Sequence, residues 1–248
     1  SRVGYWAPVR YPARPVADLL TGRSTRFLSG LDAGVQETLS FLSHRSRRCP
    51  REHYVLAGYS QGAMVMHRVM WQLTTTLVPR IDGIIVVADG DRHPNQGGLA
   101  YGSSDAGRGA QGAALYHRVL GVKYKARASA VRAGLRTRFH SVCAKGDLVC
   151  DTRYVRARGS GAARTGASLH ARRYLEQWEV TARAVRSVAA VTSGRPAVSA
   201  MKITVPRQIV GTVGAPFSQA LSTTGHGTRT GKTTTWSVRS GALPPGIR

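Results

Sequence analysis

The sequence predicts an α/β fold with a largely parallel central sheet, and three observations carry that prediction. Val55-Leu56-Ala57-Gly58-Tyr59-Ser60-Gln61-Gly62-Ala63 is an apolar run that ends in G-x-S-x-G and passes at once into a helix-period pattern. That is the form of a strand feeding a tight turn into a helix. Ile81-Asp82-Gly83-Ile84-Ile85-Val86-Val87-Ala88-Asp89 is a near-continuous β-branched run, as expected of a strand covered on both faces. Strand-like and helix-like stretches then alternate up to about residue 191, which favours parallel strands with helical crossovers.

Taken in order, Val9-Arg10-Tyr11-Pro12 reads as a short extended piece closed by proline. Ser29-Gly30-Leu31-Asp32 offers an S-x-x-D capping signature, behind which Leu31, Val35, Leu39 and Leu42 recur at helical spacing through about Ser43. Cys49-Pro50 closes a loop, and His53 to Gly58 forms the strand into the G-x-S-x-G turn. From Gln61, the positions Val65, Met66, Val69, Met70 and Leu73 trace a buried helical face to about Leu77. The stretch from Gly90 to Gly112 is rich in Gly, Asp, Asn and Ser and is predicted as loop. Thr137 to Cys143 reads as another strand. A helix is predicted from His170 to about Val191, with Tyr174, Trp178, Val185 and Val188 on or near one face.

Composition shifts after residue 192. Thr192-Ser193-Gly194-Arg195-Pro196 reads as a linker, and beyond it lie short β-like pieces, Lys202 to Val205, Phe217 to Leu221 and Thr233 to Val238, between Pro and Gly turns. The predicted division is therefore 1–191, an α/β domain; 192–200, a linker; and 201–248, a partial all-β module.

The 248 residues carry 36 basic and 12 acidic side chains, a formal charge of +24. Lysine occurs only at 123, 125, 145, 202 and 232, so arginine supplies almost all of the cations. Nucleic-acid binders often gather such charge into a stripe or tail, whereas here it is spread along the chain, with small groups at Arg45–Arg48 and Arg153–Arg164. An Arg-biased solvated surface is the plain explanation. Salt-dependent contact with polyanions or anionic membranes is the competing one. No apolar run approaches the ~18–20 residues a membrane span needs. The three cysteines, Cys49, Cys143 and Cys150, have no C-x-x-C spacing and no histidine at ligand spacing, so they do not predict a metal site.

A serine on a strand-to-helix turn has its hydroxyl pushed out above the sheet, and small flanking residues such as Gly58 and Gly62 let the turn close. Such a serine attacks a carbonyl when a histidine takes its proton and an acid orients that histidine. In the chain order Ser, Asp/Glu, His, candidate partners downstream of Ser60 are Asp147, in Cys143-Ala144-Lys145-Gly146-Asp147-Leu148-Val149-Cys150, and His170, at the predicted start of the last helix. Plainer roles compete with each: an ordinary turn serine, a turn aspartate with Asp151 as nearest substitute, and an exposed helix-start histidine. His93, His117 and His140 precede Asp147 and fit the order badly. Asp89 and Asp91, at a strand end, read as structural.

These pieces, with Cys49-Pro50 ahead of the elbow strand and His170-x-x-x-Tyr174 behind it, resemble the cutinase family of serine esterases over roughly residues 3–190. The resemblance implies an α/β-hydrolase three-layer sandwich and secretion. It implies Ser60 as nucleophile, His170 as general base and Asp147 as its orienting acid, with the Gln61 backbone N–H as an oxyanion donor. It further implies a disulfide between Cys143 and Cys150 that pins the Asp147 loop. Its implied substrates are carboxylic esters: cutin, lipid, short-chain esters or acetylated polysaccharide. A monomer, no cofactor and no specific nucleic-acid partner are expected.

Two of the family's pieces are missing from residues 1–30: an Arg-Gly-Ser/Thr-type loop giving the second oxyanion donor, and the cysteine that would pair with Cys49. An N-terminally truncated or processed chain, weakly active as it stands, is the expectation. The tail, with Ile203-Thr204-Val205-Pro206, Gly211-Thr212-Val213-Gly214-Ala215-Pro216 and Trp236-Ser237-Val238, resembles the immunoglobulin-like repeats of bacterial surface proteins and stops before their later strands. Spacing or adhesion is the role that implies. The alternative to an esterase is a non-catalytic basic surface protein that binds anionic polymers.

Overall fold

The computed structural model describes residues 6–15, 18, 23–102, 107, 109–110, 130–176, 178–193, 202–204 and 222–224. The chain divides into two compact units, Ala7–Pro196 and Ser1–Trp6 with Ala197–Arg248.

In the larger unit the order is α1 (Ser24–Arg48), β1 (Tyr54–Tyr59), α2 (Gln61–Gln72), β2 (Ile81–Val87), β3 (Leu99–Gly102), β4 (Phe139–Cys143), α3 (Arg153–Glu176) and α4 (Trp178–Ser193). The strands form one parallel sheet in the order β1-β2-β4-β3. β2 is central, and all seven of its residues are buried, as its unbroken apolar run predicts. Its one acid, Asp82, is tied at 3.0 Å to His53 Nδ1.

Two apolar layers form on the sheet. On one face Phe27, Leu31, Val35 and Leu42 of α1 and Ala63, Met64, Val65, Val69 and Met70 of α2 close over Leu56, Ile84, Val86 and Phe139. On the other, Ala184 and Val188 of α4 meet Ile85, Val87 and Val142. Fully burying one such side chain is worth roughly 1.5–3 kcal/mol, so these faces fix the strand register against slippage. Gly83 makes room for α4, because a Cβ there would sit 2.6 Å from Val188 Cγ1. A second, polar tie sets α2 on the sheet. Buried His67 of α2 lies 2.5 Å, Nδ1 to Oδ2, from buried Asp89 just past β2. Burial alone pulls the His67 pKa down, but the charge and hydrogen bond of Asp89 outweigh it and the net shift is upward.

Several half-buried arginines hold backbone. The Arg80 guanidinium donates to the carbonyls of Glu52, Ser46 and Cys49 and to the Tyr54 hydroxyl. Arg132 donates to the Leu73 carbonyl, and Arg138 to those of Val78, Ile81 and Gly134.

The elements differ from the sequence expectation in five places. Helix α1 begins at Ser24, five residues before the S-x-x-D signature. Ser29 lies inside the helix and donates to the Arg26 carbonyl, because Phe27 extends the apolar stripe backwards. Helix α2 ends at Gln72, and the chain then turns into a 3-10 helix at Val78–Arg80. The predicted loop contains β3, which pairs with β4 in the register Leu99↔His140 to Gly102↔Cys143. Helix α3 runs from Arg153, so His170 sits deep within a helix and not at the start of one. Helix α4 continues through Ser193, into the stretch read as linker.

In the second unit β5 (Lys202–Thr204) pairs antiparallel with β6 (Ser222–Thr224). The predicted strands Phe217 to Leu221 and Thr233 to Val238 lie outside the described residues, as does His117. Among the described residues no helix is long and apolar enough to cross a membrane.

Candidate active site

Ser60 stands between the end of β1 and the start of α2 with φ 54° and ψ −117°. A positive φ is strained for a side-chain-bearing residue, and such strain concentrates at functional turns. The turn is held on both sides. The Ser60 N–H donates to the Val87 carbonyl of the neighbouring strand at 2.9 Å, and the Ser60 carbonyl accepts from Ala63 N–H and Met64 N–H. The strand and helix approach so closely that a Cβ on Gly58 would fall 2.1 Å from the Gly62 carbonyl oxygen. The first glycine and the serine of G-x-S-x-G thus follow from the geometry: Gly58 where the backbones meet, and Ser60 at the half-buried bend.

Asp147 lies in the turn after β4 and is fully buried. The disulfide Cys143–Cys150 closes the loop around it, over a separation of seven residues. Its Oδ1 accepts from the backbone N–H of Val149 at 2.6 Å and of Cys150 at 3.2 Å. Asp151, the nearest substitute, is engaged elsewhere, accepting from Gly146 N–H and Arg153 Nε.

Helix α3 brings His170 between the two. Its Nε2 lies 2.9 Å from Ser60 Oγ, and its Nδ1 lies 3.0 Å from Asp147 Oδ2 and 3.2 Å from Oδ1. The imidazole is nearly buried, at 8 % exposure. Hydroxyl, imidazole and carboxylate therefore form one hydrogen-bonded line across residues 60, 170 and 147. In such a line the imidazole can take the hydroxyl proton at Nε2 while the carboxylate fixes its tautomer through Nδ1.

Two aromatic residues frame the line, and no role was assigned to either from the sequence. Tyr59 stacks on the His170 ring, with centroids 5.3 Å apart, and its hydroxyl donates to the His170 carbonyl. Tyr174 donates to Asp147 Oδ2 at 2.8 Å. The signal for Tyr174 was its spacing, since residues i and i+4 share one helix face. The Tyr59 hydroxyl is pushed to higher pKa by burial and then by the Asp147 charge.

Gln61, the first residue of α2, has a buried side chain with a job of its own. Its Nε2 donates to the Phe27 carbonyl and its Oε1 accepts from Arg14 N–H, both at 2.9 Å. This pins the elbow to α1 and to the extended N-terminal piece.

The other candidates lie apart from the line. His140, on β4, faces the Tyr101 hydroxyl at 3.0 Å. Asp89 holds His67, Asp91 pairs with Arg68 at 2.6 Å, and His93 Nδ1 faces the Pro94 carbonyl. Cys49 is a free thiol. Among the described residues no group of three or more His, Cys, Asp or Glu could hold a metal ion.

The chain matches the family model Cutinase over residues 5–164. Ser60, Asp147 and the disulfide fall inside that span, and His170 lies just beyond its end. Among solved structures it is similar to a cutinase-like protein from Cryptococcus sp., at 18% identity and TM-score 0.45, over 67% of this chain and 73% of that one. It is also similar to an acetyl xylan esterase solved as an iodinated complex, at 17% identity and TM-score 0.47, over 73% and 79%. An acetyl xylan esterase solved at 0.90 Å gives 20% identity and TM-score 0.45, over 75% and 79%. The family match spans well over half of the 248 residues and takes in the elbow, the parallel sheet and the cysteine-bracketed aspartate. The chain belongs to the cutinase family and is a carboxylic ester hydrolase of α/β-hydrolase fold.

Proposed function

We propose that the chain hydrolyses carboxylic esters through an acyl-enzyme on Ser60. The observation that carries this reading is the unbroken line from Asp147 through His170 to Ser60, with 3.0 Å and 2.9 Å links. Ser60 Oγ attacks the ester carbonyl carbon as its proton passes to His170 Nε2. The resulting oxyanion is met by the Gln61 backbone N–H at the head of α2, where the helix dipole also favours negative charge. The imidazolium returns its proton to the departing alkoxide. Water, deprotonated by the same nitrogen, then attacks the acyl carbon and releases the acid with Ser60 restored. Asp147 keeps Nδ1 protonated throughout.

The disulfide supports an extracellular setting, since such bonds persist in oxidising compartments. The substrate is an ester reaching a serine flanked by half-exposed Tyr59: a lipid, cutin, a short-chain ester or an acetylated polysaccharide. A monomer, with the tail from 201 acting as spacer or adhesive module, completes the reading. A surface of net charge +24 supports adsorption to anionic polymers around the substrate.

The test is hydrolysis of p-nitrophenyl butyrate by the protein and its Ser60→Ala variant, with mass spectrometry after a phosphonate ester. Turnover that vanishes in the variant, and a single phosphonyl adduct on Ser60, are expected. Equal rates from the two proteins would sink the reading.

A further inference from the structure

Asp147 receives more hydrogen bonds than an orienting carboxylate needs. Val149 N–H and Cys150 N–H hold Oδ1, while Oδ2 faces both His170 Nδ1 and the Tyr174 hydroxyl. His170 Nδ1 is almost equidistant from the two oxygens, at 3.0 and 3.2 Å. With Oδ1 alone tied to the turn, the carboxylate could tilt and offer either oxygen to the imidazole. The 2.8 Å bond from Tyr174 fixes the other oxygen and removes that freedom.

The direction of the phenolic proton is set by its surroundings. Ala144 N–H donates to the Tyr174 oxygen at 3.0 Å, so that side of the hydroxyl acts as acceptor. Cys150 Sγ, at 3.3 Å, belongs to the disulfide and carries no hydrogen, and sulfur is a weak acceptor. Asp147 Oδ2 is the remaining strong acceptor. Burial, and next the Asp147 charge, push the Tyr174 pKa up, which favours the protonated phenol that donates to Oδ2.

His170 and Tyr174 sit one turn apart on α3, so a single helix face delivers both the imidazole and the tether of its carboxylate. The Tyr174 ring also stands edge-on to Tyr59, centroids 5.8 Å apart, and Tyr59 in turn stacks on His170.

We infer that Tyr174 is a positioning residue for ester hydrolysis, acting through Asp147 Oδ2 to hold the carboxylate in the one orientation that serves His170. The inference rests on the Ser60–His170–Asp147 reading, which gives Tyr174 no part. The bond stores no chemistry of its own. It narrows the range of imidazole orientations, and that benefits the transition state, in which the imidazolium must be both charged and aimed.

The test uses the full chain and Tyr174→Phe, which keeps the ring and deletes only the hydroxyl. For p-nitrophenyl butyrate, kcat is expected to fall roughly tenfold with KM unchanged, the pattern of an interaction made at the barrier and not in substrate binding. A second readout needs no turnover: the downfield proton resonance of His170 Nδ1–H, identified by its loss in Asp147→Asn. Tyr174→Phe displaces it, and so does 3,5-difluorotyrosine placed at 174, which keeps the shape and makes the hydroxyl a stronger donor. An unmoved resonance overturns the inference, as does a kcat equal to that of the starting protein. A parallel collapse of kcat, KM and Tm also overturns it, leaving Tyr174 as packing for the disulfide loop. If the starting protein hydrolyses no ester, the Ser60 reading fails and the hydrolytic role of Tyr174 is overturned with it, while a resonance displaced in Tyr174→Phe still shows that the hydroxyl orients Asp147 against His170.

Discussion

Gly58 and Gly62 touch through backbone: a Cβ on Gly58 would lie 2.1 Å from the Gly62 carbonyl oxygen and 2.7 Å from Ala63 N. No rotamer change relieves a clash with main chain, so even one methyl must pry α2 from β1. Gly58→Ala is expected to cost at least about 3 kcal/mol, the upper range for overpacking. Hydrolysis is expected to be lost even where the protein still folds, because Ser60 moves with α2. Urea titration with an activity assay on the folded fraction checks both, and an active variant of normal stability contradicts the contact.

His170 and His140 are separated by their environments. His170→Ala is expected to lower kcat by roughly three orders of magnitude or more, leaving the rate that oxyanion stabilisation alone supplies. His140→Gln is expected to retain kcat, since His140 faces Tyr101 and not Ser60. The reverse pattern would reassign the base.

His140 has a separate signature in stability. Burial lowers its pKa, so the folded protein keeps it neutral at pH values where the unfolded chain protonates it. Between its folded pKa and about 6.5 the unfolded state therefore binds more protons. Stability must fall as pH drops through that window and be fully present above it. Tm measured from pH 7.5 to 5 is expected to fall less steeply in His140→Gln than in the starting protein. Parallel slopes would mean that His140 binds its proton equally in the folded and unfolded states, with no effect of burial.

The loop closed by Cys143 and Cys150, at a sequence separation of 7, is short, and joining its ends stabilises the fold by about 2–3 kcal/mol on the chain-entropy account. Its effect on hydrolysis is expected to be larger, because Cys150 N–H is one of the donors that hold Asp147. In the Cys143→Ala/Cys150→Ala protein, kcat is expected to drop out of proportion to the change in Tm. Thiol titration in denaturant gives one group before reduction and three after in the starting protein, and one throughout in the double variant.

Gln61 separates backbone from side chain. Removing its amide leaves the Phe27 carbonyl and Arg14 N–H without their partner, a loss of roughly 1–3 kcal/mol. The backbone N–H assigned to the oxyanion is untouched. Gln61→Ala is therefore expected to be less stable but to keep kcat near normal, and a kcat loss without destabilisation would place the side chain in the chemistry.

What the sequence revealed and what it concealed follow from how each feature is encoded. The elbow and β2 were legible because close backbone approach demands glycine and two-sided burial demands an unbroken apolar run, both local requirements. Leu99-Ala100-Tyr101-Gly102 carried no such mark, since β3 is short, glycine-flanked and largely exposed, and it exists because β4 offers it an edge. The first turns of α3, through Arg156-Ala157-Arg158-Gly159-Ser160-Gly161, present no apolar period, so the helix was visible only from His170 onward. The order Ser, Asp, His survived that error because it depends on sequence order and not on where the helix starts. Tyr59 and Tyr174 gained their contacts only in three dimensions.

The guanidinium of Arg80 gathers carbonyls from the end of α1, the following turn and the approach to β1, where a lysine ammonium could not fork to all of them. The formal charge of this chain therefore counts two populations. Cations such as Arg80, Arg132 and Arg138 are half-buried rivets, whose short bonds to carbonyl dipoles are screened much less by salt. Cations facing solvent make the long-range field that salt erases. Salt added to release this protein from an anionic surface should thus leave its architecture intact. A surface recharged wholesale from arginine to lysine would keep the same formal charge and lose the rivets.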